Sequence, residues 1–190
     1  KKSFTIGPIY VIIDILTNGE LMLNVNVKFP EFQLNGVNSE NQIVQVKSDD
    51  LTGSWAVIYF YPKDFTFICP TEISDMDKLC DEAIVMGVSG DNEYCKLNWK
   101  MSNELIGSIK HTLAADCGLG LTNACEAINY DHFVAERATF IIDPEGIIQH
   151  TSMNAMDTGR NVNELLRTIQ ALKAGGLTGC GWEPGDQFVA

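Results

Sequence analysis

The stretch "YPKDFTFICPTE", Tyr61 to Glu72, places Cys69 directly after an apolar run and directly before a proline. Pro70 has no backbone N–H and a preset φ, which suits the first position of a helix, and Glu72 stands where a capping carboxylate belongs. This spacing predicts Cys69 at the N-cap. Unpaired N–H groups and the positive end of the helix dipole favour an anion there, so the nucleophilic thiolate is expected to be stabilised. Thr66, three residues earlier, is expected to fold its hydroxyl back toward the sulfur, and Pro62 to end the preceding strand and screen the pocket from water. A guanidinium would complete such a site by holding the anion and polarising a bound substrate. Arg137 in "ERATFIID" is the candidate, because only thirteen residues are Lys or Arg and this one borders a core strand.

The other thiols carry weaker signals. The six cysteines, at 69, 80, 95, 117, 125 and 180, are scattered, and the chain is large enough to fold without covalent staples. No CxxC occurs, the spacing of Cys117 and Cys125 does not suit zinc, and only three histidines are present, so no metal centre is expected. Cys80, Cys95, Cys117 and Cys125 read as small buried hydrophobes.

The elements that must carry these residues alternate. "WAVIYFY" (Trp55 to Tyr61) is a continuous apolar run bounded by Gly53 and Pro62, the pattern of a strand covered on both faces. "PTEISDMDKLCDEA" has helical character and "IVMGVS" (Ile84 to Ser89) is a second buried strand, giving a strand, helix, strand unit. "NEYCKLNWKMSNEL" reads as a helix. "ATFIID" and "IIQHTSM" read as a hairpin across the turn "PEG". "NVNELLRTIQALKAGG" places Val162, Leu165, Leu166, Ile169 and Leu172 on one helical face and stops at paired glycines. The pattern predicts an α/β fold with a central mixed sheet flanked by helices.

Composition excludes several functions. A chain of 190 residues, 45 % hydrophobic and 20 % charged, suits one domain with a substantial core. Its formal net charge of −12 repels phosphate backbones and anionic lipid, so neither nucleic acid nor a membrane is an expected partner. The segment "YVIIDIL" is too short to span a bilayer and is interrupted by Asp14, which also argues against an export signal. The chain reads as soluble and cytoplasmic.

"PKDFTFICPTE" resembles the active-site signature of the peroxiredoxins, Pro-x-x-x-Thr-x-x-Cys. The resemblance extends from about Leu23 to Asp186 through "KFPEF", "GVSGDN", "LAAD", "ERATFIIDPEG", "GRNVNELLR" and "GWEPGD", and is nearest to the two-cysteine, alkyl hydroperoxide reductase C-type subgroup. It implies a thioredoxin-like fold and a cysteine-based peroxidase without metal, haem or other cofactor. Position by position, it implies that Cys69 is the peroxidatic cysteine, that Pro62, Thr66 and Arg137 form its pocket, and that Glu72 and Arg160 fix Arg137. The implied resolving thiol is Cys180 in "GLTGCGWEPGD", supplied by the partner subunit of a homodimer, with a ring of five dimers a further possibility. The family usually places that cysteine four residues before the tryptophan, where this chain has Thr178; here it stands two before Trp182.

The implied partners are a peroxide, either hydrogen peroxide or a small organic hydroperoxide, and a disulfide reductant: thioredoxin, a flavoprotein reductase or a CxxC protein. The implied division is residues 1–21 as an extension without assigned role, 22–175 as the domain, and 176–190 as a mobile tail. The stretch between Glu72 and "GVS" is shorter than usual in the family, which suggests a truncated first helix. The family's Gly-Gly-Leu-Gly loop and Tyr-Phe tail are missing, which implies resistance to overoxidation. The alternatives are a one-cysteine peroxidase served by an external thiol and an oligomeric chaperone-like role. A disulfide oxidoreductase of the same fold would need the absent CxxC.

Overall fold

The computed structural model describes residues 23–190; the expected extension 1–21 lies outside them. The run Ala56–Phe60 (β3) is buried at every position and lies inside a seven-stranded sheet. Ile84–Ser89 (β4) lies parallel to it, with Ala56 opposite Ile84 and Phe60 opposite Val88. Thr112–Ala115 (β5) continues parallel beyond β4. On the other side Arg137–Ile142 (β8) runs antiparallel to β3, and Ile148–Asn154 (β9) antiparallel to β8. Gln33–Val37 (β1) and Ile43–Lys47 (β2) close the far edge, giving the order β2-β1-β5-β4-β3-β8-β9. Ile128–Asn129 (β6) and Val134–Ala135 (β7) form a separate two-stranded ribbon.

Strand alternation divides the core in two. Ala56, Ile58 and Phe60 face one side with Phe29, Phe32 and Phe140. Val57, Tyr59 and Tyr61 face the other, where Cys69–Met76 (α1) contributes Ile73 and Met76, Val162–Ala174 (α4) contributes Leu165 and Ile169, and Glu93–Ser102 (α2) contributes Trp99. A short helix, Gly120–Ala124 (α3), places Leu121 in the first cluster. The expected mixed α/β sheet and its strand, helix, strand unit are therefore present.

The punctuation works as expected at several ends. At the β8–β9 turn the Asp143 carboxylate accepts the amides of Glu145 and Ile147 at 3.0 and 2.8 Å, and Gly146 takes φ +83°, a region other residues rarely adopt. The Asn161 side chain caps α4 by accepting the Glu164 amide, and Gly175 ends it at φ +72°. Two helices are shorter than their sequence pattern. The run from Pro70 to Ala83 leaves α-geometry after Met76 and passes through a 3₁₀ turn over Asp77–Leu79, because the chain must return to Trp55, whose carbonyl accepts the Ile84 amide at 2.9 Å. α2 ends at Ser102, where extended Asn103 turns its carbonyl to the amides of Ile106 and Gly107.

Candidate active site

Two core strands and two helices converge on Cys69. β3 ends at Phe60 and the chain bends at buried Pro62. The loop then climbs to Ile68, whose backbone is already helical at φ −78° and ψ −41° and whose carbonyl accepts the amides of Thr71 and Glu72. Ile68 therefore holds the N-cap position, and Cys69 is the first helical residue, one place further in than the sequence pattern indicated. Its side chain is 1 % exposed. The α1 N-terminus has no side-chain cap, because Glu72 is engaged elsewhere.

Arg137 opens β8 opposite this helix end. Its Nη1 donates to Cys69 Sγ at 3.5 Å and to Glu72 Oε2 at 2.5 Å, and its Nε donates to the Met156 carbonyl at 2.8 Å. Glu72 Oε1 meanwhile accepts from Arg160 Nη1 at 2.8 Å and from the Arg160 amide at 3.0 Å. Arg160 is not a surface charge: its side chain is 3 % exposed. It donates to Thr139 Oγ1 and to the carbonyls of Phe60 and Ala138, and lies 5.4 Å over the Tyr59 ring. The result is a line of groups, Cys69, Arg137, Glu72 and Arg160, in which one buried carboxylate holds two guanidiniums.

The expected pocket residues come together. Pro62, Thr66, Cys69 and Arg137 line one cavity of about 320 Å³, with Phe67, Val134 and Met156 as apolar wall. Thr66 differs from expectation in one respect, because its hydroxyl donates to the Lys63 carbonyl at 2.9 Å rather than to the sulfur. That bond closes the turn that presents Thr66 to the cavity. Val134, His132 and Met156 were not legible in the sequence, since each reaches the cavity from a segment far along the chain. Asp64 inside "PKDFT", a charge amid apolar and aromatic residues, is buried at the base of this loop and accepts the Tyr61 hydroxyl at 2.8 Å.

The remaining thiols fall into three groups. Burial and then Asp77 push Cys80 up to about 11, burial and then Asp64 push Cys95 up to about 11, and burial pushes Cys125 higher still, so these three hold their protons near neutral pH. Of the four thiols expected to be buried hydrophobes only Cys125 is fully buried; Cys80 and Cys95 are half-buried, and Cys117 is exposed, because the turn closed by the Leu119 amide on the Asp116 carbonyl carries it outward. Cys180 is also exposed and lies beside Arg167 and Leu172 of α4. The segment around it folds back on itself: Trp182 is 7 % exposed and stacks on Phe188, and its carbonyl accepts from Arg167 Nη1 at 2.9 Å.

Residues 25–151 match the AhpC/TSA family. The chain belongs to that family. An alkyl hydroperoxide reductase C of Mycolicibacterium smegmatis is 38 % identical over 184 residues, covering 88 % of this chain and 94 % of the relative. The chloroplastic 2-Cys peroxiredoxin BAS1 of Spinacia oleracea is 35 % identical over 180 residues, covering 87 % and 67 %. Among solved structures, the reduced 2-Cys peroxiredoxin of Plasmodium vivax superposes with a TM-score of 0.81 at 34 % identity, over 86 % of this chain and 91 % of that one. AhpC of Mycobacterium tuberculosis gives 0.77 at 34 % identity, over 86 % and 100 %. The fold is thus the thioredoxin-like peroxiredoxin fold, and the protein is a peroxiredoxin-family thiol peroxidase. Among the described residues no helix is long and apolar enough to cross a membrane.

Proposed function

We propose that the protein reduces hydrogen peroxide and small organic hydroperoxides by a two-cysteine cycle in which Cys69 is the peroxidatic residue. The observation that carries this reading is the 3.5 Å contact between Arg137 Nη1 and Cys69 Sγ, with the guanidinium held from behind by Glu72 and the Met156 carbonyl. A cation locked beside a sulfur in a small, largely apolar pocket at the start of a helix suits attack by a thiolate on a weak O–O bond, because it stabilises the charge that develops on the leaving oxygen. The sulfur bonds to one peroxide oxygen, the O–O bond breaks, and the leaving oxygen takes a proton to depart as water or an alcohol. Cys69 is left two electrons oxidised, as sulfenic acid.

Cys180 of a partner subunit then attacks the sulfenic sulfur, expels water and forms an intersubunit disulfide. An external dithiol, from thioredoxin, a flavoprotein reductase or a CxxC protein, returns both sulfurs to thiols by exchange. The exposure of Cys180 supports this role, as does its place in a Gly-rich segment. The working unit in this reading is a homodimer, assembling further to a decamer, in the reducing cytoplasm. Seating of the tail on α4 through Arg167 and Trp182 favours one alternative, a one-cysteine cycle, should the tail fail to leave that seat.

Non-reducing electrophoresis after a stoichiometric peroxide pulse separates these readings. A disulfide-linked dimer that disappears in both Cys69→Ser and Cys180→Ser is expected. Peroxide consumption without the dimer band would favour the one-cysteine cycle, and consumption undiminished in Cys69→Ser would reject the assignment.

A further inference from the structure

Two lysines of α2, Lys96 and Lys100, are turned inward, against the usual placement of this residue. Lys96 is fully buried, and a buried ammonium must be paired and hydrogen-bonded to be tolerated. All three of its donors are used. Nζ donates to Ser89 Oγ at 2.6 Å, to Tyr61 Oη at 2.9 Å and to Asp64 Oδ1 at 3.4 Å. The hydroxyls pass the interaction on: Tyr61 donates to Asp64 Oδ1 and Ser89 to Asp91 Oδ2, both at 2.8 Å. Asp91 Oδ2 also accepts the Asp64 amide at 2.8 Å. Asp64, Asp91 and Cys95 bring three metal-type ligand atoms together, but the cation in their midst is the Lys96 ammonium.

Tyr61 and Asp64 stand on either side of Pro62 and Lys63, at the root of the loop that continues through Thr66 to Cys69. The next residue, Phe65, takes φ +56°, a left-handed conformation that is strained for a non-glycine residue. Its ring centroid lies 5.8 Å from that of Trp99, which offsets the strain. α2 thus grips the loop at Tyr61, Asp64 and Phe65 through Lys96 and Trp99. We infer that Lys96 is a positioning residue for the peroxide reaction, its ammonium fixing the 62–68 loop through Asp64 and Tyr61 so that Thr66 and Cys69 keep their place in the cavity.

Burial pushes Asp64 up and Lys96 down, and each partner's charge opposes the shift. Asp64 also has Asp91 near it as a like charge, and its Oδ2 is buried without a hydrogen-bond partner. Removing the ammonium therefore leaves an uncompensated carboxylate at the base of the loop. Asp64 then relaxes toward solvent and takes the loop with it.

The inference rests on Cys69 being the peroxidatic residue, and its test has one arm that does not use activity. Reduced full-length Lys96→Met, Asp64→Asn and the double variant are compared with wild type by hydrogen–deuterium exchange and by the second-order rate with hydrogen peroxide. In Lys96→Met, exchange in a peptide spanning 61–69 is expected to rise roughly tenfold while β8 keeps its protection, and the rate to fall roughly tenfold. Adding Asp64→Asn removes the stranded charge, and the rate is expected to return to within roughly threefold of wild type. Unchanged exchange over 61–69 with a rate within twofold of wild type would overturn the inference. So would a double variant no faster than Lys96→Met. If Lys96→Met does not fold, Asp64→Asn decides alone: it strands the ammonium instead, so the same loosening supports the inference and wild-type exchange and rate refute it. A wild type that consumes no peroxide counts against the proposed function, and the exchange arm still reads the loop.

Discussion

Glu72 presents one oxygen to each of two arginines, and the site is organised around that division. Oε2 holds Arg137 beside the sulfur, and Oε1 holds Arg160, which is tied in turn to Thr139 and to the carbonyls of Phe60 and Ala138. All three charged side chains are at most 5 % exposed, so none can exchange its partner for water. Glu72→Gln keeps the shape and removes the charge, leaving two guanidiniums buried against a neutral amide. A loss of about 3–5 kcal/mol in urea unfolding is expected, with slower peroxide consumption because Arg137 is released. A variant of wild-type stability and rate would show that the carboxylate is not what holds the pair. Cys69 was legible from its own neighbours, since a cysteine before a proline at a helix start is a local pattern. Arg137 was legible from scarcity of basic residues and from "RATFIID". The pairing itself was not: Cys69 and Arg137 are 68 residues apart, and Glu72 and Arg160 are 88 apart, separations that no spacing rule covers.

At the scale of elements, β3, β4, β8 and β9 were legible from their apolar runs, whereas β1 and β2, with half or more of their positions exposed or half-buried, and the short β5 carried no such run. Helix ends were less legible, and α1 shows why. Its sequence remains helical beyond Met76, but the Asp77 carboxylate accepts the Lys110 amide at 2.8 Å and is bonded to His111 Nδ1 at 2.7 Å. His111 Nε2 meets the Tyr59 hydroxyl at 2.8 Å, so this chain of groups fastens the end of α1 to the start of β5 and to β3. Burial lowers His111 below its ordinary value of 6.5, despite Asp77. The folded protein therefore binds this proton less readily than the unfolded chain, and stability is expected to fall as pH drops below 6.5. Burial alone would raise Asp77, but the bonds from His111 and Lys110 hold it below 3.8, so its stabilising effect is present above that value and is lost as pH falls further, through the folded-state value. Denaturant midpoints measured from pH 7 to 3 should show both losses. His111→Gln, which keeps polar groups toward Asp77 and Tyr59, should remove most of the first, with His150, also lowered by burial, leaving a remnant. A midpoint independent of pH between 6.5 and 5 in wild type would contradict this assignment.

At the scale of the whole molecule, the segments around the site set, in the proposed cycle, how long a sulfenic acid on Cys69 waits for its partner thiol. In the stretch "ELIGSIK", 104–110, Ile106 and Ile109 are buried against the α1 and α4 side of the sheet. The first turn of α1 has no side-chain cap to hold it folded, so disulfide formation should outrun a second oxidation. Mass spectrometry across a peroxide titration should find disulfide long before sulfinic acid on Cys69; abundant sulfinate at a few equivalents would contradict that expectation. The tail and its placement of Cys180 lay beyond local pattern, because a second subunit enters the reaction in the proposed cycle.

The central claim is that the sulfur beside Arg137 is the one that breaks the oxygen–oxygen bond. It is tested most directly in Cys180→Ser, where no second thiol from the tail can consume the intermediate, by adding one equivalent of hydrogen peroxide in the presence of a sulfenic-acid trap and mapping the adduct. The adduct is expected on Cys69 alone, and to be strongly reduced when Arg137→Gln is added. Peroxide consumed with Cys69 still a free thiol, or an adduct on Cys117 or any other cysteine in its place, would contradict the claim.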